Sequence, residues 1–534
     1  MKPYNKLNLG FADAENYKKK ENKNLLDKFF IKTGELDNII NSNNYFLIGD
    51  KGTGKTAYSI YLSHNDYKGT SSYINYIRET EYTKFIELKK AKNLTLTEYT
   101  SIWKVLIYVL ISQRIMSKEK DSFLSIHSKY GPLKEAIDEF YSQAFAPELI
   151  NAISFVEESA LSANLIYKYL KIKGEDKVVK SFSNDRFQTN LLYIQQKFEQ
   201  ALSSLKLKNY HILFIDGIDI RPRNIKYEDY LECIKGLANA SWSVNNDFFS
   251  SIKDSKGRMK VMLLVRPDIF SHLGLQNLNT KIRDNSVLLD WKTTYPIYHT
   301  SSIFKMTDNI LSSQQENTYS IGECWNMYFP FIVKANGKED NSFISFLRYS
   351  MFRPRDIVMM MQILQDKSKS YKHDTQIINE ADFENIEFKK SYSDYLLGEV
   401  KDFLAFYHSD KDYELFLKFF EYLNGKASFD YNDFLNSFEE FATYIEKNEI
   451  SIPKFFESSD SFLQFLFDLN IICYIEDTED EHPHIHWSFR ERTYSNINPK
   501  VKEGVRYSIH YGLQKAFNTG KVFKRRVIKN TNKR

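Results

Sequence analysis

Apolar residues in this chain fall into two rhythms. Short, mostly apolar runs at 45–48, 212–215, 258–265 and 287–291 are each followed by glycine or charge, the pattern of strands buried in a parallel sheet. Apolar residues at three- and four-residue spacing predict helices over 97–118, 133–145, 147–169 and 185–205. Strand–helix alternation across 45–80 and 205–295 therefore predicts an α/β fold, a parallel sheet with helices on both faces. The stretch 81–205 is too long for a crossover connection and predicts a helical insertion, a subdomain or lid beside that sheet.

Beyond this first block, 1–296, the pattern changes. Residues 297–367 predict a helical lid, and 368–385 are polar enough for a linker. Helices over 386–406, 411–424, 431–446 and 461–469 follow. A hairpin comes next, 471–476 and 484–489 around an acidic turn, so 386–520 reads as a winged-helix-like domain. The tail, 521–534, holds seven basic residues and no acid, and is either a phosphate-backbone contact or a solvated end.

Composition adds limits. The 534 residues exceed one compact core, and 19 Gly with 11 Pro favour helices over turn-rich β structure. A net charge of +4 gives no whole-molecule field for nucleic acid. Cys233, Cys324 and Cys473 are odd in number and widely spaced, which argues for a reducing compartment and against disulfides or a zinc site. The first residues lack the apolar core of a secretory signal. The most apolar run, 102–111, contains Lys104 and is shorter than the ~20 residues of a membrane span. The expectation is a soluble, cytoplasmic protein with no membrane partner.

Chemistry concentrates after the first strand. Gly49, Asp50, Lys51, Gly52, Thr53, Gly54, Lys55 and Thr56 fit the phosphate-cradling pattern G-x-x-x-x-G-K-[ST] between a predicted strand and a predicted helix. The glycines let backbone N–H groups turn toward phosphate oxygens, and the helix N-terminus adds positive potential. Lys55 is expected to reach the β- and γ-phosphates, and the Thr56 hydroxyl to bind Mg²⁺. A second half belongs at the end of a later strand. Asp216 closes the run 212–215 and is the expected Mg²⁺ carboxylate; Asp219 is the candidate for polarising an attacking water. Arg266, at the tip of the next strand, is either a γ-phosphate sensor or an ordinary charged strand end. Arg355 opposes the dipole of the helix that Pro354 begins, so it is either a nucleotide contact or a surface ion pair. His482, His484 and His486 alternate as on one strand face, with no second ligand cluster to make a metal site.

Together these motifs resemble the STAND and origin-recognition-like branch of AAA+-related P-loop ATPases. Residues 216–219 are similar to the magnesium motif of NACHT-type members, and 265–267 to their sensor turn. More closely, segments 9–15 and 509–516 resemble an uncharacterised bacterial P-loop ATPase family found in antiviral defence gene neighbourhoods. The resemblance implies an ASCE-type core, with ATP and Mg²⁺ as cofactors and residues 9–14 near the adenine. Gly217 stands where many active members carry Glu, and no arginine finger can be assigned, Arg283 being a candidate only. Both imply slow hydrolysis and a switch acting through homo-oligomerisation or a partner effector. Two rivals remain: an initiator-type ATPase gripping nucleic acid, and a scaffold that needs ATP only to fold.

Overall fold

A computed structural model describes residues 1–77, 96–118, 130–142, 184–223, 225–253, 258–274, 277–335, 338–371, 375–478 and 483–520. The chain divides into two compact units, Asp13–Asp290 and a discontinuous one made of Met1–Ala12 with Trp291–Arg534. Residues 1–12, which read as part of the first block, thus group with the second unit.

The first unit is α/β. Its strands are β1 (Phe46–Ile48), β2 (Thr70–Tyr76), β3 (Tyr210–Asp216), β4 (Met259–Val265) and β5 (Ser286–Leu288), all parallel, in the order β2-β3-β4-β1-β5. Every residue of β1 and β4 is buried, as expected for strands covered on both faces. Between β2 and β3 in sequence lie three described helices, α1 (Leu96–Lys118), α2 (Gly131–Ser142) and α3 (Asn184–Ser203). The run 102–111 is buried in α1 apart from Lys104. The helix expected over 147–169 lies outside the described residues. Among those residues no helix is long and apolar enough to cross a membrane.

The strand order creates a switch point. From β1 the chain crosses toward β2 at one edge, whereas from its neighbour β4 it crosses toward β5 at the other. Adjacent connections that leave in opposite directions open a crevice at the C-terminal ends of these strands, where ligands of open α/β sheets bind.

The second unit contains the hairpin β6 (Ile332–Ala335) and β7 (Lys338–Asn341), and a four-stranded antiparallel sheet. That sheet runs β10-β9-β11-β8, from β8 (Ser428–Phe429), β9 (Ile472–Glu476), β10 (His484–His486) and β11 (Arg506–Ile509). Helices α4 (Asp410–Tyr422), α5 (Tyr431–Lys447) and α6 (Ser459–Asp468) begin at side-chain caps from Ser409, Asp430 and Ser458. Their apolar faces meet in an aromatic core where Phe419 and Phe462 ring centres lie 4.6 Å apart. Two local readings change. The segment 368–385 contains the last turn of Pro354–Tyr371 and the short helix Glu380–Glu384, opened by an Asn379–Asp382 capping box. The strand expected to run to 489 stops at His486, because Phe489 N–H bonds Asn470 Oδ1 at 2.9 Å and Ser488–Glu491 turn into a helix.

Candidate functional site

The loop that follows β1 is anchored to β4. Ile48 registers with Val265, and Gly49 N–H donates to the Val265 carbonyl at 3.2 Å. Thr53 turns the loop by donating from both its N–H (3.2 Å) and its Oγ1 (2.8 Å) to the Asp50 carbonyl. Gly52 and Gly54 take φ of 89° and 94°, a backbone region that glycine enters without steric cost. Gly54 then caps the helix Lys55–His64. A Cβ on Gly49 would lie 2.4 Å from Thr53 Oγ1, so this position too is closed to larger residues.

Lys55 is buried, and its ammonium donates to the carbonyls of Gly49 (2.7 Å) and Asp50 (3.2 Å). Burial lowers its pKa, opposed by the negative charges of Asp219, Asp216 and Asp50. Thr56 Oγ1 donates to Asp216 Oδ2 at 2.7 Å, across 160 positions of sequence. The other oxygen of Asp216 accepts from Gly217 N–H at 2.8 Å. Burial, together with the charge of Asp219, lifts the Asp216 carboxyl to about 6, while Thr56 and Lys55 pull it back.

Past Asp216 the chain bends sharply at Gly217, φ 89°. Ile77 N–H bonds the Asp216 carbonyl at 2.8 Å, carrying the β2–β3 pairing up to the bend. The fully buried Tyr230 donates its hydroxyl to the Ile218 carbonyl and pins the turn that presents the half-buried Asp219.

Arg266 leaves the tip of β4 buried, with Nε bonding Asp268 Oδ1 at 3.0 Å and Nη2 bonding Oδ2. The first unit thus gathers Gly49–Thr56, Asp216, Asp219 and Arg266 at the C-terminal ends of three strands. Arg355 lies in the second unit. There its Nε donates to the Ala12 carbonyl at 2.9 Å and its Nη1 pairs with Glu399 at 3.4 Å. Its neighbour Arg353 is more deeply committed, clasping the fully buried Asp356 through Nε (2.9 Å) and Nη2 (2.7 Å). Arg283 is exposed on the helix Leu278–Asn285.

His486 pairs with Glu476 (3.0 Å) and Glu491 (2.9 Å) and stacks on Tyr474, and His482 lies outside the described residues. Among the described residues no group of three His, Cys, Asp or Glu side chains is placed to hold a metal ion. A cleft of about 500 Å³ in the second unit is walled by Tyr298, Phe329, Phe331, Glu339 and Asp340, and among the described residues no basic side chain lines it to meet a polyphosphate.

The donor set in the first unit fits a magnesium-bound polyphosphate. Mg²⁺ takes hard oxygen ligands, one or two carboxylates plus phosphates and water, and Thr56 with Asp216 offers a hydroxyl and a carboxylate in contact. Sequence reasoning did not assign Asp268 or Tyr230. Asp268 had a local signal, a carboxylate two positions after an arginine; Tyr230 had none. No protein-family model, curated protein or solved structure matches this chain.

Proposed function

We propose that this chain binds ATP with Mg²⁺ at Gly49–Thr56 and Asp216, hydrolyses it slowly, and works as a nucleotide-dependent switch. The observation that carries this reading is the 2.7 Å contact between Thr56 and Asp216. The two residues expected as magnesium ligands, Thr56 on the helix that follows β1 and Asp216 at the end of β3, with β4 between those strands, meet oxygen to oxygen. The loop N–H groups and Lys55 would hold the phosphates, and Mg²⁺, when bound, neutralises their charge and orients the terminal one. Asp219 would polarise the attacking water and Arg266 would meet the γ-phosphate.

Slow turnover follows from Gly217, which leaves no carboxylate directly after Asp216. The strand order, with β4 between β1 and β3, is compatible with the P-loop ATPase core that the motifs resemble. Helices α4 to α6 and the hairpin β9–β10 support reading 386–520 as winged-helix-like. As a component of antiviral defence, the role its resemblance implies, such a switch would act by self-assembly or on an effector.

The charge of the C-terminal domain speaks against the initiator reading. Residues 386–520 carry 24 acidic and 14 basic side chains, and α5 holds Asp433, Glu439, Glu440 and Glu446 against a single Lys447. A helix of that sign repels a phosphate backbone. Phosphate release by wild type and Asp219→Asn, followed alongside particle mass without nucleotide, with ADP and with ATP plus Mg²⁺, tests the proposal. Slow release that Asp219→Asn abolishes, with a mass shift specific to ATP, supports it. Wild-type release by the variant moves the catalytic role elsewhere, and a constant mass removes self-assembly.

A further inference from the structure

The tip of β4 carries a cation whose plane is fixed by a neighbouring carboxylate. The Arg266 side chain is 4 % exposed and that of Asp268 15 %, and the two meet through two parallel N–H···O contacts. A two-point contact of this kind holds a guanidinium in one orientation, which a single hydrogen bond does not. The local sequence builds it. Pro267 opens the helix Pro267–His272 and fixes its own φ, so Asp268 stands in the first turn, facing back to Arg266. Ser271 Oγ donates to the Asp268 carbonyl at 2.7 Å and steadies that turn from the other side.

Two further relations tie the pair to the phosphate loop. Val265, the residue before Arg266, accepts the Gly49 N–H bond that begins the loop. Arg266 and Lys55 follow the C-terminal ends of the paired strands β4 and β1, and the charge of Arg266 adds to the lowering of the Lys55 pKa. A buried ion pair is a costly way to gain stability, since well-packed apolar residues serve as well. What it supplies here is a cation of fixed direction beside a loop suited to bind phosphate.

We propose that Asp268 is a positioning residue, orienting Arg266 so that the site discriminates a nucleoside triphosphate from a diphosphate. The inference rests on the triphosphate reading above, and it adds the element that makes the site sensitive to the γ-phosphate. Titration calorimetry with MgATP and MgADP on the full chain tests it, comparing wild type, Arg266→Ala, Asp268→Ala and Asp268→Asn.

The expected result is that Arg266→Ala and Asp268→Ala each cut the preference for ATP over ADP by about tenfold, the scale of one charge-assisted hydrogen bond. ADP affinity should stay within about twofold of wild type, because the diphosphate lacks the group that Arg266 would meet. Asp268→Asn keeps one acceptor and should fall between. A merely structural role would lower the melting temperature and leave the ratio alone.

An unchanged ratio in Asp268→Ala or Arg266→Ala overturns the proposal. So does an increased ratio, which would mean that Asp268 shields Arg266. If Asp268→Ala does not fold, Asp268→Asn decides, and a wild-type ratio there overturns the proposal. Failure of the wild type to bind either nucleotide is a different result; it overturns the triphosphate reading and this inference with it.

Discussion

The Ile77 carbonyl oxygen lies 2.3 Å from the point that a Cβ on Gly217 would occupy. Residue 217 therefore cannot carry a side chain unless the β2–β3 junction shifts, because the obstructing atom is backbone that is itself tied into the sheet. The missing carboxylate after Asp216 is thus built into the fold, and the next acid on the chain that the bend can present is Asp219.

Replacing Gly217 with alanine should destabilise the first unit by about 2 kcal/mol or more, from the left-handed φ together with the clash. Urea unfolding followed by circular dichroism measures this. Gly217→Glu should be at least as unstable and should not speed phosphate release. A stable, faster variant would show that the bend tolerates a side chain.

His510 makes stability in the second unit depend on pH. Its Nδ1 accepts from Gly512 N–H at 3.2 Å, and Nε2–H donates to the Ser350 carbonyl at 3.2 Å, so the neutral ring satisfies both partners. Burial pushes the imidazole down to about 4 from its ordinary 6.5, with Arg353 and Arg490 adding to the fall and Asp356 and the Ser350 bond opposing it. The unfolded chain therefore takes up the proton first. The contribution is fully present above pH 6.5 and is lost as pH falls from 6.5 toward 4. Between pH 7 and 5 wild type should lose about 2 kcal/mol that His510→Gln does not lose. Parallel urea midpoints for the two proteins across this range make the check, and identical pH slopes would contradict it.

The two arginines around Pro354 should separate by stability. Arg353→Ala strips the fully buried Asp356 of its ion partner and should cost about 3 kcal/mol, although Met351 N–H and Tyr395 hydroxyl bonds to Asp356 remain. Arg355→Ala removes a partly exposed contact to Glu399 and one carbonyl bond, and should cost about 1 kcal/mol. Thermal melts of both variants test the order; a more damaging Arg355→Ala would contradict it.

The Gly49–Thr56 loop and the Asp216 strand were legible because their residues are fixed by local chemistry: glycines where the backbone turns, a lysine and hydroxyl at a helix start, a carboxylate at the end of an apolar run. Strands β3 and β4 were legible from their apolar stretches, 212–215 and 261–265, which are buried. Other features depend on partners remote in sequence. Strand β11 carries Arg506 and Ser508 between apolar residues and declares itself only by pairing with β9 and β8. Nor does local spacing reveal that residues 1–12 bond to Pro354–Tyr371. Gln365 donates to the Tyr4 and Leu7 carbonyls at 2.9 and 2.8 Å, and Gln362 to Gly10 at 2.8 Å. Gly217 looked like a loss of catalytic power in sequence, and only Ile77 supplies the steric reason.

Titration calorimetry of MgATP into wild type and Lys55→Ala is the most direct test of nucleotide binding at Gly49–Thr56. Thermal melts without nucleotide confirm that the variant is folded. Wild type should bind with a well-defined heat, and Lys55→Ala should bind at least about a hundredfold more weakly, having lost the buried ammonium that would meet the β- and γ-phosphates. Equal affinity in the two proteins, or no binding by wild type, would contradict the assignment of this loop as the triphosphate site.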